Sequence, residues 1–400
     1  MPWSAYLRWM MGTLLAVLAG VGALNMFIDP LGVFFSPRIQ GLNALKPHLD
    51  HHYELARWEA ARRLCAPVGI FGNSRAEIGF DPAHLKTVAH GLTAFNHAVP
   101  GSNVTLAARQ FGWLKREGCA PKRVVLGLEF FDFLGSPAAE SADPSSFPTP
   151  RKDWLFMGEV VFSLTGLRDS LSTIALQSAR YPATITKTGF NPLFNYLHEV
   201  EQSGHYTLFR QRAVENVKAW QIKISRPKLP TGQLSLDQTD LENFLSQATS
   251  VGAEVDMVIY PYHAEVRLLI ERMGLSQHFS DWKRGIVAST AKYSAQHPTV
   301  RVWDFSALQP ETLEPIPPPG DRISHLRWYW EGGHFKKALG DKVLDRLAGG
   351  PGDFGQMLNL GNIDAWLERD RKELQVFLES ASPLIGEVEN VILSAGTRDN

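Results

Sequence analysis

Two cysteines are all that this 400-residue chain contains, and they do not form part of a zinc-ligand spacing. No Walker-type glycine loop, no G-x-G-x-x-G run and no H-E-x-x-H segment occurs, so the sequence offers no ground for a nucleotide cofactor or a metal centre. An excess of one charge is missing too. Forty Lys and Arg stand against 41 Asp and Glu, a formal net charge of -1, which leaves no bulk attraction for nucleic acid. Internal repeats are absent, and after the first thirty residues no second apolar run is long enough to cross a membrane. The expectation is therefore a protein with no cofactor, no metal and no nucleic-acid partner.

The strongest local signal is at the start. Residues 9–28 carry no charge, and only Thr13 and Asn25 are strongly polar. Such a run is about long enough to cross the hydrocarbon core as a helix. Arg8 precedes it, and Trp3, Tyr6 and Trp9 suit the headgroup level. The alternative is a cleaved signal peptide with Val21-Gly22-Ala23 as its small-residue site. The run is long for that purpose and continues through Met26, Phe27 and Ile28, so an uncleaved anchor over residues 1–30 is expected. Arg8 favours an internal N-terminus, with the remainder extracytoplasmic, on a single-pass inner-membrane protein.

Helical and strand patterns then alternate, the sign of a parallel sheet with crossover helices. Strands are predicted at 68–71, 93–98, 124–126, 255–260 and 300–303. Helices are predicted at 55–64, 104–118, 239–252 and 336–347, the third opening on a Thr239/Glu242 capping box. The long gap after the third strand holds a Ser/Pro-rich loop at 136–150 and helical segments near 154–176 and 206–222. It reads as a mainly helical insertion, 135–235, able to cover a site. The expected organisation is thus an anchor at 1–30, an α/β domain at 31–350 and a helical tail at 351–400. Cys65 and Cys119 each precede a strand, in Leu64-Cys65-Ala66-Pro67 and Gly118-Cys119-Ala120-Pro121. Neighbouring parallel strands would put both at one sheet edge, where a disulfide suits an oxidising compartment; two separate thiols are the alternative.

Gly72-Asn73-Ser74-Arg75 follows the first strand directly, where side chains face the ligand crevice of an open α/β sheet. A serine on such a turn can expose its hydroxyl near backbone N–H groups, or it can simply cap a helix. Near the domain's end stands Trp330-Glu331-Gly332-Gly333-His334. A serine needs a base, imidazole is the usual one, and a carboxylate three residues earlier can orient it. Lower-ranked residues are His263 after the fourth strand, as a substrate contact or a loop histidine with no role, and Asp304 after the fifth, as a rival for the orienting acid or a partner for His325 or Arg75. His97 is expected as a core residue, and Trp328, Tyr329 and Trp330 as a sugar-stacking wall or as core.

Taken together, these elements resemble the SGNH (GDSL-like) hydrolases: Ser74 after strand one, Gly101 after strand two, and an acidic-x-x-His segment near the end. The Ile70-to-Arg75 strand and turn, Asp29-Pro30 after the apolar run, and the Trp330-to-His334 segment are closest to a membrane-anchored branch. That branch includes the alginate acetylation proteins and, more distantly, the teichoic-acid D-alanylation protein DltD. The resemblance implies a flavodoxin-like α/β fold with a parallel sheet of about five strands flanked by helices. It implies Ser74 as nucleophile, His334 as base, Glu331 as orienting acid and a backbone N–H of Gly101 in the oxyanion hole. One block departs from the family: Gly127-Leu128-Glu129-Phe130 stands where many members have Gly-x-Asn-Asp. An ionised Glu129 cannot donate to an oxyanion. It is expected to serve the substrate or Arg75 instead, with backbone donors and Asn103 supplying the hole.

The expected function is that of an acyltransferase or esterase acting on acyl, chiefly acetyl, groups of an exported or cell-surface polysaccharide. A membrane-bound O-acyltransferase is the implied partner. Two alternatives stand beside it: a catalytically weak polysaccharide-binding scaffold of such a complex, motivated by Glu129, and a general periplasmic esterase or lipase.

Overall fold

A computed structural model describes residues 3–48, 53–88, 91–134, 154–225 and 238–396. The expected loop at 136–150 and the last residues of the tail lie outside this range. In chain order, the first half runs α1 (Trp3–Ile28), α2 (Tyr53–Leu64), β1 (Val68–Phe71), α3 (Ser74–Gly79), α4 (Pro82–Val88), β2 (Ala94–Asn96), α5 (Val104–Arg116) and β3 (Arg123–Leu128). The middle holds α6 (Trp154–Phe162), α7 (Leu164–Ala175), α8 (Tyr196–Ser225), α9 (Thr239–Thr249), β4 (Glu254–Ile259), α10 (Ala264–Arg272) and α11 (Ser276–Ser294). The last part comprises β5 (Val300–Asp304), β6 (Tyr329–Glu331), β7 (His334–Phe335), α12 (Lys337–Leu347), β8 (Gln356–Leu358), α13 (Ile363–Leu378) and α14 (Pro383–Gly396).

The chain forms two compact units, one of residues 1–63, 145–187 and 191–197, the other of residues 64–144, 188–190 and 198–400. In the first unit, α1 is long and apolar enough to cross a membrane. Its last carbonyls find side-chain donors, as a helix end without further turns requires. Ser36 Oγ donates to Met26 O, Asn43 Nδ2 to Phe27 O at 3.1 Å, and Lys46 Nζ to Ile28 O at 2.8 Å and Asp29 O at 2.6 Å. The Asp29 carboxylate in turn accepts the Phe34 and Ser36 N–H groups. Helices α6 and α7 belong to this unit as well. Among the described residues of the expected 135–235 insertion, α6 and α7 fall in this unit, while most of α8 falls in the other. Asn25, buried within an apolar helix, needs polar partners. It donates to Val161 O at 2.9 Å and accepts from Ser170 Oγ at 2.8 Å.

The second unit is a mixed α/β layer structure built on a six-stranded sheet of order β2-β1-β3-β4-β5-β8. The first five strands are parallel, and β8 pairs antiparallel with β5. Strand β8 lies in the tail expected to be helical. Its three residues follow Gly352 and Gly355 and carry no readable alternation, so pairing with β5 alone makes it a strand. All four residues of β1 are buried, as a strand covered by helices on both faces must be. The helix α5 buries Val104, Ala107, Ala108, Phe111 and Leu114, the stripe its sequence shows. The α9 capping box does not form: Thr239 is already helical, and the Glu242 carboxylate accepts from Ser289 and Lys292 instead. Since β1 has β2 on one side and β3 on the other, the winding reverses there. The crevice of this sheet opens past the carboxyl ends of β1 and β3.

Cys65 and Cys119 are disulfide-bonded. They precede the adjacent strands β1 and β3, at the edge opposite the crevice.

Candidate active site

The turn after β1 is shaped by a phenol. Gly72 has φ 144°, and a Cβ there would lie 2.4 Å from Tyr260 Oη; at Gly127, near the end of β3, a Cβ would lie 2.0 Å from the same atom. Only glycine leaves room for the buried Tyr260 ring between the two strand ends. Burial holds its hydroxyl protonated far above the ordinary tyrosine range. Asn73 then caps α3, its Oδ1 accepting the Arg75 N–H at 3.1 Å, and Ser74 is the first helical residue.

His334 arrives from the other end of the chain. Strands β6 and β7 pair antiparallel with Glu331 opposite His334, so Gly332-Gly333 forms a tight hairpin turn rather than the start of a helix. A Cβ at Gly332 would meet Glu265 Oε2 at 2.4 Å, and one at Gly333 would meet Arg75 Nη2 at 3.2 Å. This turn brings the Glu331 Oε1 against His334 Nδ1, while Oε2 accepts the Gly333 N–H at 2.7 Å. Ser74 Oγ lies 2.8 Å from His334 Nε2.

The protonation pattern follows from the partners. With a carboxylate on Nδ1, the imidazole carries its proton there and presents the Nε2 lone pair to the Ser74 O–H. Glu331 is buried, which alone would raise its pKa. His334, the Gly333 N–H and Arg75 outweigh burial and hold the carboxyl down at about 2. A serine, an imidazole and an ionised carboxylate thus stand in one hydrogen-bonded line, with His334 partly open to solvent and Glu331 closed off.

Arg75 joins the parts. Its Nε donates to Gly333 O at 2.6 Å, its Nη1 pairs with Glu129 Oε2, and its guanidinium lies over the Tyr262 ring at 5.5 Å. Burial opposes the Arg75 charge, but the carboxylates of Glu129 and Glu331 help raise its pKa above the usual value. Tyr262 donates to Glu129 Oε1 at 2.8 Å and accepts the Phe130 N–H at 3.2 Å. Burial and Glu129 keep that phenol neutral. Both Glu129 oxygens are therefore taken by Tyr262 and Arg75. The carboxylate thereby braces the turn after β1 through Arg75.

Gly101 has φ 71° and open space around it. Its loop is fastened to the turn after β1 through Gly72 O, which accepts from Val99 N at 3.0 Å and Ser102 Oγ at 3.1 Å. Asn103 spends its Oδ1 on the Leu106 N–H as the cap of α5. The expected substrate contact at His263 does not hold. That ring is 1% exposed, accepts the Glu265 N–H on Nδ1 at 3.1 Å and donates from Nε2 to Glu314 O at 2.8 Å. It caps α10, and burial lowers its pKa to about 4, so it is neutral. Asp304 is no rival acid either: fully buried, it pairs with Lys283 at 2.7 Å and accepts from Ser306 and Trp366. His97 stacks on Phe71 in the core, and Tyr329 and Trp330 are buried, so the three aromatics at 328–330 do not form a wall. Tyr260 and Tyr262 escaped the sequence reading; their signal was two tyrosines at the carboxyl end of β4 opposite glycines at 72 and 127. Among the described residues no group of His, Cys, Asp and Glu is arranged to hold a metal ion.

Comparison with family models, with curated proteins and with solved structures finds no match to this chain. The functional reading therefore rests on the geometry.

Proposed function

We propose that the chain is a serine acyltransferase or esterase of SGNH type, held to a membrane by α1 and working outside the cytoplasm on acyl groups, chiefly acetyl, of an exported or cell-surface polysaccharide. The observation that carries this reading is the 2.8 Å contact of Ser74 Oγ with His334 Nε2, with Glu331 on Nδ1. The parallel strand order β2-β1-β3-β4-β5 supports a flavodoxin-like sheet, since that order places the crevice where Ser74 stands. The Cys65–Cys119 bond supports an oxidising compartment.

In the first step Ser74 passes its proton to His334 Nε2 as Oγ attacks the ester carbonyl. The tetrahedral oxyanion collapses, the ester C–O bond breaks, and His334 returns the proton to the leaving alcohol. The acyl group is then on Ser74. An acceptor hydroxyl repeats the sequence in reverse: water gives the free acid, a sugar hydroxyl gives a new ester. Backbone N–H groups of Ser74 and Gly101 are the proposed oxyanion donors, because the Arg75 N–H is already given to Asn73. The pairing of Glu129 with Arg75 and Tyr262 supports an enzyme over a merely scaffolding role, because it gives that carboxylate partners other than an oxyanion.

The test is turnover by the full chain in detergent micelles with p-nitrophenyl acetate, with and without acetyl-free polysaccharide fragments. Acetylated fragments that vanish with Ser74→Ala support transfer. Rapid release of free acetate that fragments do not alter points to a general esterase. No turnover with any acyl donor overturns the proposal.

A further inference from the structure

The first unit carries an apolar surface that the proposed chemistry does not use. On α6, Leu155 is 59% and Phe162 55% exposed; on α7, Leu164 is 82% and Leu171 55% exposed. Their spacing puts Leu155 and Phe162 on one side of α6, away from the buried Phe156 and Val160, and Leu164 and Leu171 on one side of α7, away from the buried Gly166, Asp169 and Thr173. Exposed apolar side chains grouped on two consecutive helices mark an interaction surface.

The level of these helices along α1 says what covers them. The uncharged run at 9–28 rises about 30 Å as a helix, the thickness of a bilayer's hydrocarbon core. Asn25, which bonds both Val161 O and Ser170 Oγ, lies about 5 Å before the end of that run. Gly22 lies about 9 Å before it, and a Cβ there would meet Phe162 Cε1 at 2.8 Å and Val161 Cγ1 at 3.1 Å. At Gly166 a Cβ would meet Val160 O at 2.5 Å and Asn25 Nδ2 at 3.0 Å. Small residues therefore let α6 and α7 press on α1 at hydrocarbon and headgroup depth. There Asn25, with no exposed surface, has the internal partners that a polar group in lipid requires.

From this we infer that α6 and α7 form a second membrane element, a helical pair lying in the leaflet boundary beside the end of α1, with Leu155, Phe162, Leu164 and Leu171 in contact with lipid acyl chains. The inference rests on α1 spanning a bilayer. One charged residue on each outer face, Glu159 and Arg168, fits a surface at the boundary, where long side chains reach the headgroups.

The experiment uses the full chain in vesicles of phosphatidylcholine and phosphatidylglycerol. Its only cysteines are disulfide-bonded, so single cysteines at Leu164→Cys and Leu171→Cys can carry a nitroxide, with Leu14→Cys on α1 and the exposed Ile323→Cys as references. The expected result is relaxation by dissolved oxygen severalfold stronger, relative to a water-soluble nickel chelate, at 164 and 171 than at 323, approaching the ratio at 14. Ratios at 164 and 171 equal to that at 323, with a lipid-like ratio at 14, overturn the inference and leave the anchor standing. Shielding of 164 and 171 from both agents also overturns it, in favour of a protein cover. A water-like ratio at 14 removes the anchor and the inference with it.

Discussion

Arg75 donates from Nε to the carbonyl of Gly333 at 2.6 Å, so the residue after the proposed nucleophile holds the residue before the proposed base. Two segments separated by more than half the chain are fixed by one guanidinium, which Glu129 and Tyr262 fix from the far side. Positioning of this kind matters because a misplacement of about 1 Å costs a reaction roughly 100-fold. Arg75→Lys keeps the charge but cannot reach the Gly333 carbonyl and Glu129 as a fork. The expected outcome is a fall in kcat of roughly 10- to 100-fold with KM little changed and the pH profile unmoved. An unaltered kcat would remove Arg75 from the account.

Glu129→Gln separates the brace from an oxyanion role. A glutamine can donate, so a residue in the oxyanion hole would gain activity from the change. As a brace, its loss takes the paired carboxylate from the largely buried Arg75 cation, which costs up to about 3–5 kcal/mol. A lowered denaturation midpoint with reduced turnover is expected, and increased turnover on p-nitrophenyl acetate would contradict it.

Glu331→Gln addresses the tautomer. An amide can donate to Nδ1 and so place the histidine proton on Nε2, facing Ser74 the wrong way. Turnover is expected to fall on the order of 10⁴-fold while the fold is retained. Far smaller losses, measured by single-turnover acylation, would make Glu331 a bystander.

Acid should unfold the protein partly through His263. Burial lowers its pKa to about 4, whereas the unfolded chain takes up this proton near the ordinary value of 6.5. Stability is thus whole above 6.5 and declines as the pH drops towards 4, by roughly 3 kcal/mol at the full shift. His205, lowered to about 4 chiefly by burial, acts in the same direction. His263→Asn retains a good N-cap residue, and a flatter stability profile between pH 6.5 and 4 is expected from denaturant titrations. An unchanged slope would show that His263 does not carry the effect.

Removing the disulfide is the plainest stability test. It closes a loop of 54 residues, and Cys65→Ala with Cys119→Ala is expected to cost about 2–4 kcal/mol without moving Ser74 or His334. Equal denaturation midpoints with and without reductant would contradict this.

Much of the sheet unit was legible in the sequence because β1, β3, β4 and β5 are short apolar runs bounded by turns, and Ser74, Glu331 and His334 sit on such turns. What the pattern hid were tertiary matters. His263 is an unusual residue for a helix cap, so its position after β4 suggested a substrate contact. Glu129 stands where the hydrolases that the sequence resembles have asparagine, while its partners Arg75 and Tyr262 meet it only in the folded sheet. The pairing of α6 and α7 with α1 was hidden for the same reason: Asn25 shows that a polar partner is required, but not that Val161 and Ser170 supply it.

The central claim is that Ser74 is an activated nucleophile, and labelling with a fluorophosphonate tests it most directly. The full chain should gain one phosphonyl adduct, mapped by mass spectrometry to the peptide holding Ser74, with labelling lost in Ser74→Ala and greatly slowed in His334→Ala. No adduct on the folded protein, or one that persists in Ser74→Ala, would contradict the account.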